Sequence, residues 1–361
     1  MKKILPLVLF TILALNVNAQ KCFKGKIEDL TELTKRKLVV VTLKEDVGYV
    51  EKLTKKIGKT QKADKKEKLE KELNDYQNQI SSFNNNVKEL IPTYWSLNND
   101  SDIKYLTKDE VENYIKNESE TYAVLDLTPD ETIVSGYNSV LTVNHNIITY
   151  GASEKKRSKA TYRNHILNVN YNFPKTRFKN KNQQKLVEDL EKEKENKPKV
   201  LSKENIIITL VIGQNYIKSV LETGEILSFS DYAKKVSEKN KKLLQGKRIM
   251  IQSAIVGSKV YKNLEEYSDR IELVSAERIA QAINNNEDVY IGLPAIKKYI
   301  KAKSGFGAGG VSVGFTSINT LDHKLVYNPY KREIISFRNA PSPLNYRSFK
   351  KKDIEELFAS E

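Results

Sequence analysis

The sequence predicts an α/β fold: two related α/β modules with mixed sheets flanked by helices, plus a long amphipathic helix able to form a helical hairpin. Three observations carry this. Lys37-Leu-Val-Val-Val-Thr-Leu43 is a continuous β-branched run, the pattern of a strand buried on both faces. Leu69, Leu73, Tyr76, Ile80, Phe83, Val87 and Leu90 recur at alternating spacings of four and three, the seam of an amphipathic helix. The third is an internal match. Ile103–Asn117 leading to Tyr122-Ala-Val-Leu is matched, at one constant offset and without a gap, by Ile271–Asn285 leading to Tyr290-Ile-Gly-Leu.

From the start of the chain, Lys2 and Lys3 precede an apolar run from Ile4 to Leu15, and Val17-Asn18-Ala19 places small residues before Gln20. That is the charged, apolar and small-residue order of a secretory signal peptide, residues 1–19. The run is about twelve residues, too short for a membrane span of roughly 20. Its removal takes away two lysines and no acid from a net charge of +15. Residues 20–361 are long enough for two ordinary domains.

Cys22 is the only cysteine, so no intrachain disulfide can form. A lipid-bearing cysteine needs a small residue directly before it, and here Gln20-Lys21 precede. Ordinary cleavage and a soluble mature protein, with no transmembrane segment left, are therefore expected. Basic and acidic residues interleave from Lys21 to Lys352, as on a solvated surface. The excess can still draw the chain toward an anionic glycan or surface. No basic-plus-aromatic motif accompanies it, so nucleic acid is not an expected partner.

The first module is expected over residues 20–172. After the Lys37–Leu43 strand, Gly58 separates two helical stripes, Val50, Leu53 and Ile57 and then the long seam, which should stop at Pro92. Leu73, Tyr76, Ile80, Phe83 and Val87 are candidate partner-helix residues, for an envelope protein or for a second copy of the chain. The alternative is that this helix covers its own sheet or its neighbour helix. Thr107 with Glu110 has capping-box spacing, and Val140–Tyr150 and His165–Tyr171 read as hairpin strands.

Residues 173–204 read as an exposed helix or a charged linker, since Lys175–Lys203 is dominated by Lys, Glu, Asn and Gln, with Leu186, Val187 and Leu190 as apolar exceptions and Pro198 ending it. The second module, 205–340, should begin with a buried strand at Ile206–Ile212. A helix capped at Ser230-Asp231 should follow, with Tyr232, Val236 and Leu243 on one side and Gly246 at its end. Lys247–Ser253 is the next strand. The repeated unit comes after it, then strands near Val311–Phe315 and Leu325–Phe337, with a turn at Tyr327-Asn-Pro-Tyr330. Residues 341–361 form a polar tail with a short helix at Ile354–Phe358.

No catalytic residue is assigned. His145, His165 and His323 are the only histidines, and none lies in a nucleophile elbow or a zinc-ligand spacing. Asp126 and Asp130, near a strand end, are the best-placed carboxylates for glycan hydrolysis. No metal or other cofactor is expected. Tyr94 and Trp95, able to stack on a sugar, are candidate ligand-binding residues. So are Gly305, Gly307, Gly309 and Gly310 of the glycine-rich Ser304–Gly314 segment, although its glycines lead into a strand and not a phosphate-binding helix.

The strand–helix–strand pattern of Ile103–Leu127 after Lys37–Leu43 resembles the α/β modules of exported envelope proteins. It is similar to the amino-terminal domain of the TolB family and to the curli-secretion lipoprotein class. The likeness rests on hydrophobic pattern, and no site residue carries over from it. It implies a non-catalytic envelope protein that works through contacts. An exported, non-enzymatic binding or scaffolding protein of the bacterial envelope, periplasmic or extracellular, is therefore expected, with a carboxylate-dependent glycan or peptidoglycan hydrolase as the alternative.

Overall fold

The computed structural model describes residues 27–98, 102–118, 121–132, 142–149, 162–165, 200–306, 312–341 and 349–358. The signal segment, Cys22, most of the charged linker and Gly307, Gly309 and Gly310 lie outside them. Two five-stranded mixed sheets and the helices around them make the α/β fold that the hydrophobic patterns predict.

The first part comprises α1 (Ile27–Lys35), β1 (Lys37–Thr42), α2 (Val47–Lys59), α3 (Ala63–Tyr94), β2 (Lys104–Thr107), α4 (Lys108–Glu118), β3 (Tyr122–Thr132), β4 (Thr142–Thr149) and β5 (Tyr162–His165). Its strands lie in the order β2-β1-β3-β4-β5, with β1 parallel to both neighbours. The second part comprises α5 (Lys203–Thr223), α6 (Phe229–Asn240), β6 (Ile249–Gln252), α7 (Ser258–Lys262), β7 (Ile271–Val274), α8 (Ala276–Asn284), β8 (Tyr290–Phe306), β9 (Ser312–Asn328), β10 (Glu333–Pro341) and α9 (Lys351–Phe358). Its order, β7-β6-β8-β9-β10, repeats the first topology strand for strand, with β6 parallel to β7 and β8.

The repeat holds through the first strand–helix unit and slips at the next strand. Lys104 pairs with Val39 and Glu272 with Met250, so Val39 and Met250 are equivalent. Val39 then pairs with Val124 but Met250 with Ile291, one residue short of the ungapped match. A one-residue slip turns a strand's faces over. Tyr122 accordingly packs with Val111 of α4, while Tyr290 lies on the sheet face opposite α8. The two tyrosines match in sequence and are not equivalent in space.

Leu38, Val40, Ala123, Leu125 and Leu127 of the first sheet and Met250, Ile291, Leu293, Leu325 and Tyr327 of the second face one continuous core. Between them runs α5. Residues 206–212 were expected as a strand; they form this helix, and its residues are buried on every side. An unbroken apolar run has no period that distinguishes strand from buried helix. Its ends decide instead. Ser202 accepts from the Asn205 N–H, and Gly224 closes the helix at φ 68°. The expected module boundary at residue 205 thus falls inside a helix that both sheets share.

Smaller differences have similar causes. The cap of α6 is Ser228, whose hydroxyl accepts from the Asp231 N–H, two residues earlier than expected. Leu243 is 39% exposed and not on the buried side, because α6 ends at Asn240. The seam helix runs through Pro92 to Tyr94: in the last turn a proline removes only one helical hydrogen bond. Polar as it is, the tail supplies Phe349, Ile354 and Leu357 to the outer face of the second sheet, so it belongs to that module's core. Among the described residues, no helix is long and apolar enough to cross a membrane.

Candidate functional site: the junction at Tyr94

Open α/β sheets take ligands beyond the carboxyl ends of their parallel strands, where the strand order reverses. Here the chain places its own residues after both central strands. After β1, the Asn84 side chain of α3 accepts from Leu43 N–H and donates to Leu43 C=O, both at 2.9 Å, as a neighbouring strand would. After β6, the tail crosses: Phe349 N–H donates to Ile255 C=O at 2.7 Å, and Gly257 N–H donates to Phe349 C=O at 2.9 Å. The Phe349 ring lies over Gly292 of β8, where an added Cβ would stand 3.2 Å from the ring and 3.0 Å from Ile251.

The partner-helix residues are used within the chain. Tyr76 and Ile80 are buried against Tyr49 and Leu53 of α2, with Leu73 packed beside them, which forms the helical hairpin. Phe83 and Val87 enter the shared core. The expectation of a partner-facing seam gives way because the a/d stripe is covered by α2 at one end and by α5 at the other. Gly305 lies near the end of β8, which pairs with β9 as far as Phe306 and Ser312. Asp126 is buried in β3, whereas β3 includes Asp130 beyond a register shift. His323 is buried beside Phe337.

Trp95, 1% exposed, is a structural anchor. Its indole Nε1 donates to Asn98 Oδ1 at 2.8 Å, and Asn98 Nδ2 donates to the carbonyls of Leu33 and Arg36, which closes the end of α1. Next to it, the Ser96 N–H donates to Gln214 Oε1 of α5 at 2.8 Å.

Tyr94 is different: it is where the two modules meet through polar groups. Its ring carries the Arg332 guanidinium at 4.5 Å from the centroid, and its hydroxyl donates to Asn286 Oδ1 at 3.1 Å. Asn286 and Arg332, at φ 51° and 55°, are the two non-glycine residues with left-handed backbone among the described residues. Each has a local cause. Asn286 caps α8 in a Schellman arrangement, with Glu287 N–H donating to Ala282 C=O at 3.0 Å and Asn286 N–H to Ile283 C=O at 3.2 Å. Arg332 closes the β9–β10 turn, where Asn328 Oδ1 accepts from Lys331 N–H and Asn328 Nδ2 donates to Asp288 Oδ1, both at 2.8 Å. Asn215 Nδ2 of α5 holds the Arg332 carbonyl at 2.8 Å.

Behind this pair, Tyr327 of β9 is 0% exposed and its hydroxyl has no hydrogen-bond partner. Burial raises its pKa, Tyr94 adds to the rise and Arg332 opposes it, so the hydroxyl remains a proton donor at neutral pH. The sequence pointed to Tyr94 alone. Asn286 could have been found from the Asn284-Asn285-Asn286 run after a helix, a left-handed cap pattern. Arg332 and Tyr327 were not legible, since only folding brings them to Tyr94.

Comparison with known proteins returns no relative: no family model, no curated protein and no solved structure matches the chain.

Proposed function

We propose that this chain is an exported, soluble, non-enzymatic binding or scaffolding protein of the bacterial envelope, acting through contacts at the Tyr94 junction. One observation carries the reading: the chain sets its own residues beside both switch points, Asn84 bonded to Leu43 in one sheet and Phe349 packed on Gly292 in the other. The junction between the sheets, where Tyr94 meets Arg332 and Asn286, is then a polar constellation that joins the two modules. The N-terminal order of Lys2-Lys3, the Ile4–Leu15 run and Val17-Asn18-Ala19 supports export. Removal of that segment leaves a strongly basic chain, which favours anionic envelope partners through long-range attraction.

The test expresses the full chain with a carboxyl-terminal tag, fractionates the cells and weighs the product. Export predicts material outside the cytoplasm that lacks residues 1–19. Full-length protein confined to the cytoplasm would overturn export. Incubation of the purified mature chain with peptidoglycan tests the non-enzymatic part. Release of soluble fragments that disappears in Asp126→Asn would replace binding by hydrolysis.

A further inference from the structure

We infer that the tip of the α2–α3 hairpin is an electrostatic docking surface for an anionic phospholipid bilayer. This goes beyond the junction and rests on the reading of an exported, basic chain above.

The packed part of the hairpin ends at Leu53 on α2 and Leu69 on α3. Between them, residues 54–68 are exposed except for half-buried Ile57 and Thr60, so the tip runs past the hairpin's own apolar contacts. Those fifteen residues hold seven lysines and two acids, a net +5 against +15 for all 361. On α2 the charge forms a stripe. Lys52, Lys55, Lys56 and Lys59 are exposed and spaced three, one and three apart. That spacing sets them on one flank of the helix, over about 10 Å of its length. Lys62, Lys65 and Lys66 gather where α3 begins.

The fold gives little local reason for this concentration. Lys56 and Lys59, in the last turn of α2, suit its dipole. The lysines at the start of α3 stand at the positive end of its dipole, and Lys62 makes no side-chain cap there. Lys52 with Lys56, and Lys55 with Lys59, place like charges four residues apart, where they repel. Among the described residues, one of the seven tip lysines is ion-paired, Lys66 with Glu70 at 3.9 Å.

The chemistry of the tip favours a charged plane over a polymer. Residues 54–68 include no arginine fork to grip a single phosphate, and no aromatic ring on which a base or sugar stacks. Lysines are compact charges that answer to the summed field of a surface. Proteins that follow a polyanion strand do so along a groove. A projecting tip instead meets a flat anionic surface with several lysines at once. It exposes no large apolar side chain, so it docks without insertion.

The purified mature chain is sedimented at low salt with phosphatidylcholine vesicles, and with vesicles in which about one third of the lipid is phosphatidylglycerol. Binding to the anionic vesicles alone, released as salt rises, is the expected result. Equal binding to both kinds, or to neither, overturns the proposal. Retention of polyphosphate by a chain that ignores the anionic vesicles assigns the tip to a polymer and also overturns it.

Two variants of equal charge locate the surface. Lys52→Gln, Lys55→Gln, Lys56→Gln and Lys59→Gln together remove the α2 stripe and keep helix-forming residues. Each lysine beside an anionic bilayer is worth about fivefold in affinity, so this variant should bind about a hundredfold more weakly. Lys234→Gln, Lys239→Gln, Lys242→Gln and Lys247→Gln remove the same charge from exposed positions on and after α6. That variant should bind within about twofold of the parent, because charges far from the bilayer are screened. Equal losses in the two variants would make the attraction a property of net charge and overturn the tip. The assay uses purified protein, so it stands whether or not the cell exports the chain, and its failure leaves export intact.

Discussion

The guanidinium of Arg332 lies 4.5 Å from the ring centroid of Tyr94, and this contact joins the last turn of the long helix to the β9–β10 turn of the other sheet. The tyrosine is 4% exposed and its hydroxyl reaches Asn286. The two parts of its role separate by substitution. Tyr94→Phe keeps the ring under Arg332 and should cost about 1 kcal/mol for the lost hydrogen bond. Tyr94→Ala should cost about 3–5 kcal/mol, since it empties a packed position. Urea midpoints at matched slopes check both; equal losses would mean that the ring contributes nothing.

Gly292 marks a second close contact. A Cβ there would stand 3.0 Å from Ile251, 3.1 Å from Ile249 and 3.2 Å from Phe349. Gly292→Val should therefore destabilise the protein by about 1–3 kcal/mol through overpacking. Trimming Phe349 to Leu in the same chain should recover part of that loss. A double variant no better than Gly292→Val would show that the tail does not pack on β8.

Thr209 lies on α5, nearly enclosed, and its hydroxyl has no partner. Thr209→Val replaces that hydroxyl by a methyl group of the same shape, and should be neutral or stabilising by about 1 kcal/mol. A thermal scan of the two proteins reads the sign directly. A clear loss of stability would mean that the hydroxyl is hydrogen-bonded.

From the first turn of α8, Arg278 Nη1 and Nη2 donate to the two oxygens of Glu287, beyond the helix end, at 3.0 and 2.5 Å. That hydrogen bonding, with the charge of Arg278, holds the Glu287 carboxyl below its ordinary value of 4.5. A folded pKa below the unfolded one contributes stability that is complete above the ordinary carboxylate range and is lost as pH falls through the lowered value. The pair is partly exposed, so its worth is at most about 1 kcal/mol. Glu287→Gln should be less stable than the parent near neutral pH, with the gap closing in acid. A gap that does not change with pH would assign the loss to packing.

Much of the fold was legible because the sequence states its periods plainly. The β1 run, the α2–α3 hairpin and the Thr107–Glu110 box, in which Glu110 accepts from the Thr107 N–H and hydroxyl at 2.7 Å, all read from local pattern. What failed was α5, because a helix buried on all sides has no amphipathic stripe. The ungapped repeat misled for a related reason: apolar residues recur on both faces of buried strands, so a slipped strand still looks matched. The junction was least legible. Tyr94, Asn286 and the Tyr327–Arg332 turn come from three separate segments, and nothing short of the fold brings them together.

Both sheets share one core through α5, and the junction exists only if they do. Equilibrium unfolding followed by Trp95 emission and by far-ultraviolet circular dichroism tests this directly. A single shared core predicts coincident transitions with one midpoint, because Trp95 cannot leave its place while α5 and either sheet remain folded. Two separated transitions, with Trp95 emission changing in one and half of the secondary structure surviving it, would contradict the account.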